Sequence, residues 1–176
     1  MKRHLFFFLS LVLLVFTAQS AAAYLQKGEA APDFELIDAA GKTVRLSDFS
    51  GQVVVLKLAT TWCPTCKQQS EEIESAAEEL NAGKVVVIDV FLQDTQEMVD
   101  DFLPKQNAVD HFVPLLDDGQ VREAYNVYLI PRLLLIDHQQ KVQRDGGLLT
   151  GFDLKKRVQH LLDEQTATSG ADMQSN

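Results

Sequence analysis

Val53-Val54-Val55-Leu56-Lys57-Leu58-Ala59-Thr60-Thr61-Trp62-Cys63-Pro64-Thr65-Cys66-Lys67 is the stretch on which the fold turns. Val53 to Leu58 is an almost unbroken apolar, β-branched run, the pattern of a strand buried on both faces. Two cysteines at C-x-x-C spacing follow, and a helical pattern begins behind them. Ile73, Ala76, Ala77 and Leu80 recur at i, i+3, i+4 and i+7. Glutamates fill the opposite face, and Asn81-Ala82-Gly83 ends the helix. A cysteine at a helix start faces free N–H groups and the positive end of the helix dipole, which together stabilise a thiolate. Cys63, outermost on that turn, is read as the attacking thiolate. Cys66 lies one turn in and is read as the more buried resolving thiol. Side chains at i and i+3 share a face, so the pair can close a bridge with little motion. Pro64 suits the first helical position, where its missing N–H is no loss.

Working outward, Val85 to Phe91 reads as a second buried strand. Phe34–Ile37 and Thr43–Leu46 flank a turn at Ala39-Ala40-Gly41-Lys42, a hairpin pattern. Asp94 with Glu97 reads as a capping box opening a helix, with Met98, Val99 and Phe102 inward and Pro104 near its end. Val113–Leu116 is a short extended piece, and Gln120–Tyr125 a short helix. Leu133–Ile136 is a third apolar strand that turns at His138–Lys141 into Val142–Arg144. Leu154, Val158, Leu161 and Leu162 mark a final amphipathic helix beginning near Thr150. The order is β-β, then β-α-β-α, then β-β-α. Alternation in the middle implies parallel strands, and the closing β-β pair implies an antiparallel edge. The expected fold is α/β, a mixed central sheet with helices on both faces and an N-terminal β-hairpin.

The chain's 176 residues suit one domain. Lys2 and Arg3 precede an apolar run from Leu5 to Phe16, and Ala21-Ala22-Ala23 offers a cleavage site. Residues 1–23 therefore read as a secretory signal peptide. An uncleaved membrane anchor is the alternative, although the run is shorter than the ~18 apolar residues of a spanning helix. The domain is placed at 24–165, exported to the periplasm or an equivalent compartment. Residues 166–176 are small and polar and read as a disordered tail. Without Lys2 and Arg3 the chain carries 14 basic and 25 acidic residues, a balance of −11. Such a charge repels nucleic acid and anionic surfaces. In an oxidising compartment a lone cysteine pair could be structural, but a bridge over so short a loop stabilises little. Reactivity is the better explanation of the pair.

Trp62-Cys63-Pro64-Thr65-Cys66 resembles the active site of exported thioredoxin-like reductases of the TlpA, ResA and DsbE type. Ala31-Pro32-Asp33-Phe34 with Val44-Arg45-Leu46-Ser47-Asp48-Phe49 is similar to that family's N-terminal hairpin and connector. Tyr125-Asn126-Val127-Tyr128-Leu129-Ile130-Pro131 resembles the segment that carries its cis-proline. The likeness spans about Lys27 to Leu162. It implies a thioredoxin-like fold and thiol–disulfide exchange, with no cofactor and no metal. It implies a cis bond before Pro131, although X-Pro bonds are mostly trans. It also implies substrate binding by the Ile130 backbone beside Pro131. Trp62 is read as a further substrate-binding residue that shields the sulfurs, and the Pro64-Thr65 pair as tuning their potential. Partners would be thiols or disulfides of exported proteins, apocytochrome c among them, with a membrane electron donor for recycling. The protein is expected to be a monomer.

Some residues depart from the family's pattern. Lys57 stands six residues before Cys63, where an acidic or amide residue is common. It either tunes the thiols or buries its stem while the ammonium reaches the edge. Gln69 replaces a frequent glutamate, Glu71 a frequent proline and Arg132 a frequent threonine. Two other functions stay open. A copper chaperone could use the two thiolates, although its relatives space them by one residue more. A peroxiredoxin-like peroxidase would use Thr60 three residues before Cys63, but Leu56 occupies the position where that motif has proline.

Overall fold

In the computed structural model, which describes residues 24–103 and 108–174 with side chains through 168, the apolar runs form the centre of a sheet. β1 (Glu35–Ile37) and β2 (Thr43–Arg45) pair antiparallel as the expected hairpin. A 3-10 turn at Leu46–Phe49 leads into β3 (Val54–Ala59), which ends four residues short of Cys63. Then follow α1 (Pro64–Glu74), α2 (Ala77–Ala82), β4 (Val86–Phe91), α3 (Gln96–Phe102) and β5 (Phe112–Leu116). The chain closes with α4 (Gln120–Ala124), β6 (Arg132–Ile136), β7 (Val142–Gly146) and α5 (Gly151–Gln174). The five strands lie in the order β5-β4-β3-β6-β7, with β3, β4 and β5 parallel and β6 and β7 antiparallel. This is the mixed sheet that the element order implies.

Alternation along the strands divides the core in two. Val54, Leu56 and Leu58 face the hairpin and α4, packing with Phe34, Leu36 and Val121. Val53 and Val55 face α1, α2 and α5, packing with Ile73, Leu80 and Leu154. β3 and β4 are buried along their whole length, as strands with both faces covered must be.

Three local expectations need correction. The helix expected across residues 73–80 is two helices, broken at Ser75-Ala76. The Ser75 hydroxyl donates to the Glu72 carbonyl at 2.8 Å, a side-chain bond that competes with the helical ladder. Gly151 packs into the break, where a Cβ would lie 2.0 Å from Ser75 Oγ and 2.8 Å from the Glu72 carbonyl oxygen. The cap of α3 is Thr95, whose hydroxyl accepts from Met98 N, and Asp94 is engaged elsewhere. The last helix continues past Thr166 to Gln174, where a disordered tail was expected. With no proline in that stretch, extending an existing helix requires no new nucleus. The signal peptide expected at residues 1–23, and Pro104, lie outside the described residues.

Candidate active site

The site is assembled where β3 runs into α1. Cys63 is the N-cap of α1, with extended backbone, and its sulfur accepts a hydrogen bond from Cys66 N at 3.2 Å. Pro64 takes the first helical position, as the sequence suggests. The two sulfurs are free thiols. Cys63 is 8% exposed and Cys66 1%, so the outer-inner order expected from the spacing is present. Burial pushes the Cys66 thiol up to about 12, and its hydrogen bond to Cys63 adds to the rise. The Thr60 backbone and the charge of Lys57 act in the opposite direction.

Lys57 does not snorkel. It is 1% exposed, and its ammonium donates to Asp89 Oδ2 at 2.7 Å and to Ser70 Oγ at 2.6 Å. The parallel register sets Lys57 directly opposite Asp89, so each supplies the counter-charge the other needs in the core. Phe91 and Phe102 lie beside the ammonium, with ring centroids at 5.9 and 5.7 Å. Burial pushes the Asp89 carboxyl up, Lys57 pulls it back, and Asp94 adds to the rise. Among the described residues, Asp89 Oδ1 has no hydrogen-bond partner.

Asp89 and Ser70 were not singled out from the sequence. The signal for Asp89 was present: β3 and β4 each carry one charged residue in an otherwise apolar run. Asp94 is a further residue whose role was misread. Its carboxylate accepts from Thr61 N at 3.0 Å and from the Thr61 hydroxyl at 2.7 Å, anchoring the turn that carries Trp62. Gln69 is fully buried and clamps the loop before α5, donating to the Leu149 carbonyl and accepting from Leu149 N.

The Ile130–Pro131 peptide is cis. Ile130 packs against the cluster of Ala59, Cys63 and Cys66, so the loop before β6 reaches the thiols. That loop exposes Tyr128 (79%) and Leu129 (70%), and Trp62 is 55% exposed. Trp62 thus stands on an exposed rim of the cysteine turn. A groove of about 270 Å³ runs beside it, lined by Thr60, Leu92, Arg122, Tyr128 and Ile130 among others. Thr65 is exposed on α1 between the cysteines. No cluster of three or more metal-ligating side chains occurs among the described residues.

A cysteine at a helix N-cap, a buried partner one turn on and a cis-proline loop packed against both define a thioredoxin-fold thiol–disulfide oxidoreductase. The AhpC/TSA family model matches residues 27–145. The ResA thiol-disulfide oxidoreductase of Bacillus subtilis is 30% identical over 150 residues, covering 80% of this chain and 83% of its own. A Chlorobium tepidum structure described as a DsbE thiol:disulfide interchange protein has a TM-score of 0.67 and 29% identity, covering 80% of this chain and 98% of its own. The exposed lipoprotein thioredoxin Etrx1 of Streptococcus pneumoniae has a TM-score of 0.61 and 26% identity, covering 74% of this chain and all of its own. The chain belongs to the AhpC/TSA family and, within it, to the TlpA/ResA/DsbE-like thiol-disulfide oxidoreductases.

Proposed function

We propose that the protein is an exported disulfide reductase in which Cys63 attacks and Cys66 resolves. The Cys63 thiolate displaces one sulfur of a partner disulfide and forms a mixed disulfide. The displaced sulfur leaves as a thiolate and takes a proton. Cys66 then loses its proton and attacks Cys63 Sγ, which frees the second partner thiol and leaves a Cys63–Cys66 disulfide. Two electrons pass from the dithiol to the partner. The observation that carries this reading is the asymmetry of the pair, with Cys63 at the N-cap and Cys66 buried and pushed up to about 12.

The reducing direction rests on the resemblance to exported reductases of the TlpA, ResA and DsbE type. In this reading Ile130 and Pro131 present backbone to an extended partner segment, and Trp62 offers an apolar edge. The Pro64-Thr65 pair sets the potential, and Lys57 with Asp89 tunes the loss of the Cys66 proton. Partners are disulfides of exported proteins, apocytochrome c among the candidates, with a membrane donor restoring the dithiol. Export is supported by the signal-like pattern of residues 1–23 and by the exposed lipoprotein relative. Among the described residues no helix is long and apolar enough to cross a membrane.

Equilibration with dithiothreitol and glutathione buffers tests the direction. The expected reduction potential is near or below thioredoxin's, about −270 mV, and a value near about −120 mV would make the protein an oxidant.

A further inference from the structure

Behind the cis-proline loop lies a second buried charge cluster, unused by the thiol chemistry. Arg132 is the first residue of β6 and follows the cis peptide directly. Its Nε donates to Asp145 Oδ1 at 2.7 Å, and its Nη2 donates to Asp145 Oδ2. Its Nη1 donates to the Tyr125 carbonyl, and to the Asn126 carbonyl at 3.4 Å. Those two carbonyls open the loop that Pro131 closes. One guanidinium therefore ties the start of the exposed Tyr128-Leu129 loop to its end. Asp145 Oδ2 also accepts from Leu25 N at 2.7 Å, and the Tyr24 ring centre lies 5.2 Å from the guanidinium. Both side chains of the pair are almost wholly buried.

We propose that Arg132 is the positioning residue of the substrate loop, and that Tyr24–Leu25 forms part of the same clasp. This rests on the reading that residues 126–131 receive the partner segment. The guanidinium's flat fork meets a bidentate carboxylate and two carbonyls at once. A lysine ammonium is a point charge and cannot hold that set. Threonine is too short to reach it. The clasp governs how well a protein disulfide is seated and leaves the reactivity of Cys63 unchanged. An arm just after residue 23 thus contributes to substrate affinity from behind the loop.

The test compares Arg132→Thr, Arg132→Lys, Tyr24→Ala and Leu129→Ala. Each is assayed for catalysed reduction of insulin and for the rate of thiol transfer to dithiobis(2-nitrobenzoate), a small disulfide that needs no loop. Arg132→Thr should raise KM for insulin by about tenfold or more, with kcat and the small-disulfide rate within about twofold. Arg132→Lys should recover part of the loss. Tyr24→Ala, which leaves the ion pair intact, should raise KM by about two- to threefold. Equal losses with both substrates would mean a merely structural role and overturn the proposal. A raised insulin KM for Leu129→Ala with no change in either Arg132→Lys or Tyr24→Ala would also overturn it, while leaving the loop reading standing. An unchanged KM in Leu129→Ala as well would overturn both.

Discussion

Lys57–Asp89 and Arg132–Asp145 are both buried ion pairs, and they are built differently. Lys57 has one carboxylate oxygen and one hydroxyl, and the other Asp89 oxygen has no hydrogen-bond partner among the described residues. Arg132 meets both oxygens of Asp145 and two backbone carbonyls, and Asp145 also takes the Leu25 N–H. The first pair is sparsely satisfied and lies within electrostatic reach of Cys66. The second is closely satisfied and touches backbone on two further segments. A sparse pair tolerates a change of charge state; a dense one resists any change of geometry. In this account the first pair tunes a proton and the second fixes a loop.

The largest expected effect is on stability at the dense pair. Asp145→Ala leaves a buried guanidinium and the Leu25 N–H without a carboxylate. It should cost about 3–5 kcal/mol in denaturant unfolding. A loss under about 1 kcal/mol would break the contrast, because that is the range of an exposed pair.

Replacing each pair by apolar residues sharpens the comparison. Lys57→Met with Asp89→Leu should stay within about 1 kcal/mol of the parent, since a buried pair is often no more stabilising than a well-packed apolar one. Turnover should still fall, by about tenfold, because the charge beside Cys66 is gone. Arg132→Met with Asp145→Leu should lose at least about 2 kcal/mol, because the Leu25 N–H and the loop carbonyls are left without partners. Equal stability of the two double variants would show that the backbone contacts are idle.

The smallest effect is one of pH. Burial raises the folded Asp89 carboxyl above its ordinary value of 3.8, with Lys57 opposing. The folded state therefore keeps that proton to higher pH than the unfolded chain. Asp89 contributes stability that is full below its unfolded value and is lost as pH rises through the folded one. The stability difference between the parent and Asp89→Asn should be most favourable to the parent in acid and decline as pH rises. A difference that grows with pH would reverse the assigned direction.

The central strand and the cysteine turn were legible because both signals are local. An apolar β-branched run and a C-x-x-C before a helical period need no tertiary information. Lys57 could be flagged but not understood, since its partner lies on a neighbouring strand and only the register of β3 against β4 brings Asp89 opposite it. Arg132 likewise depends on the β6–β7 hairpin and on an arm from the other end of the chain. The break at Ser75 was hidden for the same reason, because Gly151 approaches from α5. Asp94 shows the reverse error. Its spacing to Glu97 matched a local cap, but a tertiary bond to Thr61 won.

The exchange through Cys63 is tested most directly by trapping the mixed disulfide. Cys66→Ser and Cys63→Ser would each be incubated with a disulfide-containing protein and resolved without reductant. The account expects a covalent complex with Cys66→Ser, released by dithiothreitol, and none with Cys63→Ser. A complex formed only by Cys63→Ser would contradict it, since the buried thiol would then be the attacking one.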